Sequence, residues 1–475
     1  MSKLNSDILE QIFQDLNDLN QNIEYRISLF PCLLVNKLWY EVMIPILWSY
    51  PYKNVYNEKL LFNIIISHLS DKIIKLLIDK NIIKADFQKQ KLSFNYVKFC
   101  KYLNNIEIIF PNESRLLRKK IYKHFIRECS SIKCLSKDML YYPLYKYPRA
   151  NISLSNLYEL NCDIKEKTFY FYHELAQICR SIEKIRINIY KVRNDEFDEI
   201  VELIEMQKQI KYISILDERN ERLLDENDKC NRIIQSLEKH VNSINYIDVI
   251  MNTSSLHFSF SKLINLQFLK ILNKKMYEIS ENFEKYIMKA SYYKLQILDL
   301  QSIPLHIVIK IIQNTNGNLY KIKIRYPDCD QAKEYNRTIH KYCPNIKYVT
   351  IFLNRSNTLK ELKNILIKCQ HLEAIDMDEY IEHKYLNKFL DLLIKLAPLT
   401  LYKIHIHNEF ENFNIKSLKL FFNNWNLMSK KTLHLYYHNN HNNDWFEFIE
   451  NHKIKGVIGY KYHDNDFWNY EQDVL

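Results

Sequence analysis

A short spacing of aliphatic residues recurs along this chain from residue 182 onward. Each copy has one aliphatic residue, a second one three positions later, and a third one two positions after that, which predicts a short strand. Nine intact copies begin at Ile182, Ile210, Ile244, Leu266, Leu295, Leu319, Ile346, Leu372 and Leu401. A degenerate copy has Leu433 and Leu435 in its last two slots. Successive intact copies begin 22 to 34 residues apart, and this regularity indicates an internal repeat.

Helical patterns fill the gaps between the copies, for example at residues 359–367 and 386–393. A strand followed by a helix, stacked at a period of roughly 20–29 residues, is typical of leucine-rich repeats. Stacking places a parallel β-sheet on the concave side and the helices outside. The sequence therefore predicts an α/β fold in which residues 131–475 form a leucine-rich-repeat-like solenoid with a C-terminal cap.

Four cysteines support this repeat and set its start. Cys129, Cys179, Cys343 and Cys369 each lie three residues before the first aliphatic residue of a predicted strand. Because Cys is small and is often buried, a Cys that recurs in one slot indicates a core position at the junction of helix and strand. Cys129 then places the start of the array near Ile132.

The first 130 residues show helical patterns. Asn5 and Ser6 can cap a helix, and its apolar stripe consists of Ile8, Leu9, Ile12, Phe13 and Leu16. The first fifty residues carry much apolar surface for three short helices at most. We expect such a small unit either to dock on a partner or to pack onto the next domain of its own chain. Residues 51–130 are predicted to be a helical connector.

Three segments of the first fifty residues resemble an F-box, in the order in which that family has them. Residues 4–13 (LNSDILEQIF) resemble its first helix, residues 32–39 (CLLVNKLW) its second and residues 45–48 (PILW) its third. Together with the repeats, the chain is similar to fungal F-box proteins with repeat-rich C-terminal regions. Two residues depart from the family pattern. Asn5 stands where the family usually has Pro, and Pro31 falls near the start of the second helix.

The resemblance implies a substrate-recognition subunit of an SCF-type ubiquitin ligase that is not itself an enzyme. The F-box would dock on the Skp adaptor and, through it, on a cullin ligase, while the repeats hold an unknown target protein. By resemblance, the adaptor contacts would be Leu4, Asn5, Ile8, Leu9, Ile12 and Phe13, with Leu34, Val35 and Trp39 in support. The alternative is a leucine-rich-repeat scaffold that binds proteins and recruits no ligase.

The residues between the aliphatic slots point away from the helices and form the predicted binding face. Four consecutive repeats carry an apolar residue in the same outward slot: Tyr212, Tyr246, Phe268 and Ile297. Aromatic residues grouped in this way are enriched at protein-binding hot spots. The alternative is that neighbouring aromatics only cover each other along the ladder. We expect a target protein to bind across these four residues.

The composition argues against several other functions. With three glycines in the chain, neither a Rossmann fingerprint nor a P-loop is present, and no motif of a hydrolase stands out. We therefore expect no cofactor and no catalytic residues. His438, His441 and Asp444 could suggest a metal site, but their Asn-rich surroundings favour a solvated loop.

The net charge of +11 could indicate an anionic partner or a bias of composition. The basic residues are spread along the chain, and the central outward slots mix both signs of charge, so we expect no nucleic-acid partner. No run approaches the roughly 18 apolar residues of a membrane span, and no membrane partner is expected. We expect an intracellular protein, cytoplasmic or nuclear, with reduced thiols.

We predict that the cysteines of the repeat are structural and bind no metal. The sequence has no CxxC pair and no Cys/His set with zinc-finger spacing. Metal analysis of the purified, reduced protein should show no stoichiometric zinc. One equivalent of zinc per chain would contradict this assignment.

Overall fold

The computed structural model describes residues 5–19, 30–51, 57–103, 106, 114–135, 137–164, 171–190, 196–219, 227–256, 258–275, 278–325, 329–353, 356–377, 383–406, 415–427, 431–437, 457–461 and 467–468. The chain forms two compact units. Unit 1 comprises residues 1–210 and 218–221, and unit 2 comprises residues 211–217 and 222–475.

Unit 1 begins with helices α1 (Ser6–Leu19) and α2 (Lys37–Ser49), with a 3-10 turn (Phe30–Leu34) before α2. This arrangement differs from the prediction, which placed a second helix at residues 32–39 and a third at 45–48. The side chain of Asn36 accepts a hydrogen bond from the Trp39 amide at 3.0 Å, and α2 begins at that cap. The helix then continues through Pro45, where a third helix was expected, because Met43, Ile44 and Ile46 are buried and hold this segment by packing.

The remainder of unit 1 passes from helices to a strand-and-helix alternation. Its elements are α3 (Glu58–Ser67), α4 (Asp71–Asp79), α5 (Arg115–Glu128), α6 (Ala150–Ser153), β1 (Glu159–Ile164), α7 (Phe171–Ile178), β2 (Lys184–Ile189) and α8 (Glu196–Glu205). β1 and β2 pair in parallel, with Glu159 opposite Lys184. Isolated parallel bridges join Tyr102 to Cys134 and Cys134 to Glu159. Parallel pairing thus begins before the first intact copy of the sequence repeat.

Unit 2 continues the alternation with parallel strands that pair in chain order from β3 to β12. Its elements are β3 (Tyr212–Asp217), α9 (Asn227–Leu237), β4 (Tyr246–Met251), β5 (Phe268–Asn273), α10 (Glu281–Lys289), β6 (Ile297–Gln301), α11 (Leu305–Gln313), β7 (Lys321–Arg325), α12 (Ala332–Tyr342), β8 (Tyr348–Ile351), α13 (Ser356–Lys368), β9 (Ala374–Met377), α14 (His383–Leu396), β10 (Lys403–Ile406), α15 (Ile415–Leu427), β11 (Leu433–Tyr437) and β12 (Val457–Lys461). This alternation with a parallel sheet confirms the predicted α/β class and is solenoid-like.

The shortest interval of the repeat has a visible structural consequence. The copies that begin at Ile244 and Leu266 are 22 residues apart, and the chain between β4 and β5 forms two 3-10 turns instead of an α-helix. Phe258 and Phe260 are buried there and line a small apolar cavity with Ile234 of α9 and Ile247 of β4. Two large aromatic side chains therefore cover the sheet where the chain is too short for a helix.

The aliphatic slots of the repeat face the helices. Ile213 and Ile215 of β3 and Val249 of β4 are buried beside Leu237 of α9, and burial alternates along both strands. The residues between these aliphatic slots therefore lie on the opposite side of the sheet, which we call the helix-distal face.

The predicted cysteine slot is confirmed as a core position. Cys129, Cys179, Cys343 and Cys369 are fully buried. The thiols of Cys129 and Cys179 donate to the carbonyl oxygens of Val97 and Leu154, at 3.1 and 2.7 Å. Burial raises the pKa of Cys179 and of Cys369 to about 12. The thiols of Cys179 and Cys369 are therefore neutral, and those of Cys129 and Cys179 satisfy carbonyl oxygens of earlier segments of the chain.

Candidate binding surfaces

Helix α1 divides its apolar residues between two faces. Leu9 and Phe13 are each 1% exposed and pack with Met43 and Ile46. This corrects the prediction that Leu9 and Phe13 contact the adaptor, since residues four apart on a helix share a face and that face is already covered by α2. Asn5, Ile8 and Ile12 lie on the exposed side of the helix; Ile8 is 52% and Ile12 42% exposed.

The turn before α2 carries a second exposed apolar segment. Leu34 is 74% and Val35 55% exposed, as the prediction of an adaptor contact requires. Trp39 is half-buried and packs edge-on against Phe13 at 5.1 Å between ring centroids, so it supports the core more than it offers a surface. Leu4, the remaining predicted contact, lies outside the described residues.

The four predicted target-binding residues lie side by side on the helix-distal face. The strand register places Tyr212 opposite Tyr246, Tyr246 opposite Phe268, and Phe268 opposite Ile297. The rings of Tyr212, Tyr246 and Phe268 form a stack, which we call the aromatic row, with centroids 4.0 Å apart at both contacts.

Burial among the four predicted target-binding residues differs from the prediction. Tyr212 and Tyr246 are partly exposed, whereas Phe268 is 5% and Ile297 3% exposed. Phe268 and Ile297 therefore contribute to packing, and the ladder-packing alternative holds for these two residues. The part of the row that can meet a partner consists of the two tyrosines.

A polar row runs beside the aromatic row. Ser214, Asp248 and Lys270 occupy the next outward slot of β3, β4 and β5 and are partly buried. Lys270 donates to Asp248 at 3.3 Å. Burial alone would lower the pKa of Lys270, but Asp248 and Asp299 outweigh it and raise that pKa. An ion pair thus lies beside the tyrosines, as in the polar surround that is typical of a protein interface.

A buried set of charged residues was missed by the sequence reasoning. Lys321, Lys323 and Arg325 of β7, Asp376 of β9, and Lys403 and His405 of β10 form what we call the charged layer of the helix-distal face. Each of these six side chains belongs to a residue that is less than 9% exposed. Their outward slots were expected to face solvent.

Asp376 is the centre of the charged layer. Its carboxylate pairs with Arg325 at 2.5 Å and with Nδ1 of His405 at 2.5 Å, and Thr350 lies 3.4 Å away. Burial by itself would raise the pKa of Asp376, but Arg325 and His405 outweigh it and hold that pKa well below its usual range. The Asp376 carboxylate is therefore ionised. Its two partners hold it from β7 and β10, the strands that flank the pair β8 and β9.

Phe467 and Trp468, which we call the C-terminal pair, cover the charged layer. Both are fully buried, and they cluster with Tyr348, Ala374 and Tyr436 on the helix-distal face. Lys321 donates to the Trp468 carbonyl at 2.6 Å, and Lys403 donates to the Phe467 carbonyl at 3.4 Å. The burial of the charged layer thus results from a segment more than sixty residues beyond it in the chain.

Cations also lie over the rings of this cluster. The ammonium of Lys323 is 5.8 Å from the centre of the Trp468 ring, and the guanidinium of Arg325 is 6.0 Å from it. Lys321 lies 4.8 Å from the centre of the Tyr348 ring. Such cation–π contacts strengthen when they are removed from water. The Phe-Trp dipeptide at residues 467–468 was the available sequence signal, but its partners were not apparent from spacing.

The described part of the chain contains no group of three or more His, Cys, Asp or Glu residues that could hold a metal ion. His438, His441 and Asp444 lie outside it. Among the described residues, no helix has both the length and the apolar character needed to cross a bilayer.

Comparison with known proteins finds no family model that matches the chain and no curated protein that matches it. The argument for function therefore depends on the residues and their geometry.

Asp376→Asn should destabilise unit 2 by about 3–5 kcal/mol at pH 7, since it leaves Arg325 buried without its carboxylate. A depressed folded-state pKa stabilises the protein above the unfolded value of about 3.9, and this contribution is lost as the pH falls below that value. The stability difference between wild type and variant should therefore be constant from about pH 7 to 5 and shrink below about pH 4. Urea unfolding at several pH values measures it.

The matched control is Asp391→Asn, which removes a carboxylate from an exposed position on α14. It should change stability by less than about 0.5 kcal/mol. Equal stability of the two variants at pH 7 would show that the Asp376 ion pair contributes nothing to folding.

Proposed function

We propose that this chain is a protein-binding receptor that docks on a Skp-type adaptor through its N-terminal helices and holds a target protein on its parallel sheet. In this proposal, a cullin ligase bound to the adaptor transfers ubiquitin to the target, and the chain itself carries out no chemistry. The F-box and leucine-rich-repeat character of the two regions belongs to the same proposal.

The observation that carries the proposal is the division of the apolar residues of α1. A helix that packs within a single domain buries its apolar stripe against that domain. Here Leu9 and Phe13 already fill the core between α1 and α2, yet Ile8 and Ile12 remain exposed. Leu34 and Val35 add exposed aliphatic surface close in sequence to α2. Exposed aliphatic residues on so small a unit favour a partner that covers them.

The resemblance of residues 4–13, 32–39 and 45–48 to an F-box supports a Skp-type adaptor as that partner. Asn5 supports the proposal despite its departure from the family pattern. Its carbonyl accepts the Leu9 amide at 3.1 Å, and its side chain accepts from the Ser6 hydroxyl at 3.2 Å. The Asn5 carbonyl thus accepts the first intrahelical hydrogen bond of α1, and the exposed face of the helix is kept.

Changing Ile8 and Ile12 to Asp should weaken adaptor binding, because each change places a charge in an interface that has to be dry. The affinity for a purified Skp-type adaptor should fall by about tenfold or more, as expected for hot-spot residues. Isothermal titration calorimetry with the full chain measures it. Folding should be unaffected, since both side chains point into solvent.

The control adds the same charge elsewhere on α1, with Gln11 and Gln14 changed to Asp at exposed positions. This variant should bind the adaptor as the wild type does. If the Ile8 and Ile12 variant also binds normally, the docking surface lies elsewhere. If the wild type does not bind the adaptor, the scaffold that recruits no ligase becomes the better description.

Changing Tyr212 and Tyr246 to Ser should reduce capture of target proteins and leave adaptor binding intact. The two tyrosines are the exposed members of the aromatic row, and their loss leaves the aliphatic slots unchanged. Quantitative mass spectrometry of proteins bound to the wild type and to the variant measures the difference. Exposed Tyr286 and Tyr293, changed to Ser, provide the matched control. Identical sets of bound proteins from all three chains would place the target surface elsewhere.

A further inference from the structure

Charged side chains are unusual packing partners for a buried segment such as Phe467 and Trp468. A segment held permanently in a core is normally packed against aliphatic groups, because burying charges costs more free energy than burying apolar residues of the same volume. Here the side chains beneath Phe467 and Trp468 include Lys321, Lys323 and Lys403. These groups have the chemistry of a recognition site, with donors directed at backbone carbonyls and cations over aromatic rings.

The hydrogen bonds to the C-terminal pair go to its main chain. Lys321 and Lys403 bind two successive carbonyl oxygens, those of Trp468 and Phe467. Any peptide offers such carbonyls, so these two lysines bind the main chain and do not by themselves require this sequence. The rings supply the selectivity: Phe467 lies near His405 and Tyr436, with ring centroids 6.0 and 5.1 Å apart, and Trp468 lies beside Tyr348. The site therefore fits two adjacent aromatic residues.

The charge of the site is opposite to that of the sequence around Phe467 and Trp468. The four cations of the charged layer face two carboxylates, those of Asp376 and of Asp299, which lies opposite Lys323 in the strand register. Among the described residues, this layer therefore has more cations than carboxylates beneath the C-terminal pair. Beyond Lys461 the chain has four acidic residues, Asp464, Asp466, Glu471 and Asp473, and no Lys or Arg. An acidic aromatic segment therefore complements the site in both charge and ring chemistry.

We propose that the helix-distal face of β7–β10 is a binding site for an acidic peptide with two adjacent aromatic residues, which the chain's own C-terminal segment occupies as a competing internal ligand. A target with this chemistry displaces Phe467 and Trp468 and gains access to Lys321, Lys403 and the rings around them. The inference deepens the proposed function, because it gives the chemical class of one target segment. It is independent of adaptor docking.

Competition from the internal ligand raises the concentration at which an external peptide binds the site. A segment of the same chain acts at an effective concentration on the order of millimolar when its linker is short. A target peptide in solution therefore needs a concentration above that effective concentration, or a higher affinity than the internal segment. Removal of the C-terminal pair should therefore increase the affinity of the site for an external peptide.

The test uses the full chain and a fluorescent synthetic peptide with the sequence of residues 462–475. Fluorescence anisotropy measures its Kd for the wild type and for the variant Phe467→Ala with Trp468→Ala. The variant should bind the peptide at least about tenfold more tightly than the wild type. A control peptide with Ala at both aromatic positions should not bind the variant, and one with its four acidic residues changed to amides should bind it more weakly.

Site variants locate the binding. Lys321→Met with Lys403→Met, added to the emptied chain, should weaken peptide binding by tenfold or more. Lys310→Met with Lys333→Met removes the same charge from exposed positions on α11 and α12 and should leave the Kd unchanged. Adaptor binding should be normal in all of these chains, so a failure of this inference is distinguishable from a failure of the proposed docking.

Three results would overturn the proposal. The first is that the emptied chain binds the peptide no better than the wild type. The second is that the Ala-substituted peptide binds it equally well. The third is a loss of cooperative thermal unfolding in both the emptied chain and Trp468→Leu, which keeps apolar volume at that position. That loss would show that the segment is a permanent part of the core. Folded Trp468→Leu with increased peptide affinity would support the proposal.

Discussion

The register of the parallel ladder is the constraint on which the rest of this structure depends. Side chains alternate between the two faces of a strand, so the strands whose aliphatic residues face the helices must also align their other residues in rows. The pairing of Tyr212, Tyr246, Phe268 and Ile297 follows directly from this. The same register brings the carboxylate of Asp376 on β9 within reach of His405 on the adjacent β10 and of Arg325 on β7, two strands away. Both candidate surfaces of unit 2 are thus consequences of one packing requirement.

The aligned residues differ in burial between β3–β5 and β7–β10 of the helix-distal face. At β3–β5 the outward tyrosines are partly exposed, and the outward residues contact each other through ring stacking and the Lys270–Asp248 ion pair. At β7–β10 the outward residues are charged and are covered by Phe467 and Trp468. A partner can meet the first region directly. It reaches the second only by competing with the chain's own segment, as we propose.

In unit 1 the apolar residues of α1 are divided between the core and the exposed surface. Leu9 and Phe13, with Leu16 packed beside them, form the contact of α1 with α2, whereas Ile8 and Ile12 stay exposed. A helix with apolar residues on two adjacent faces can serve its own domain and a partner at once. This is why the proposed docking depends on residues that the fold itself leaves unused.

The sequence alone determined the α/β alternation, the positions of the aliphatic slots and the buried cysteines. These features are periodic, and a period of two along a strand or of one repeat along the chain can be read without knowing what lies opposite. It also predicted that Tyr212, Tyr246, Phe268 and Ile297 align.

The tertiary structure decided which of the aligned residues are exposed, because exposure depends on segments distant in the chain. The burial of Lys321 and Lys403 requires residues 467 and 468, and no local pattern connects them. The division of α1 was likewise beyond the pattern, since Ile8 and Leu9 belong to one apolar stripe until α2 covers part of it. Periodicity fixes the direction of a side chain within its element, whereas burial is set by whichever element packs against it.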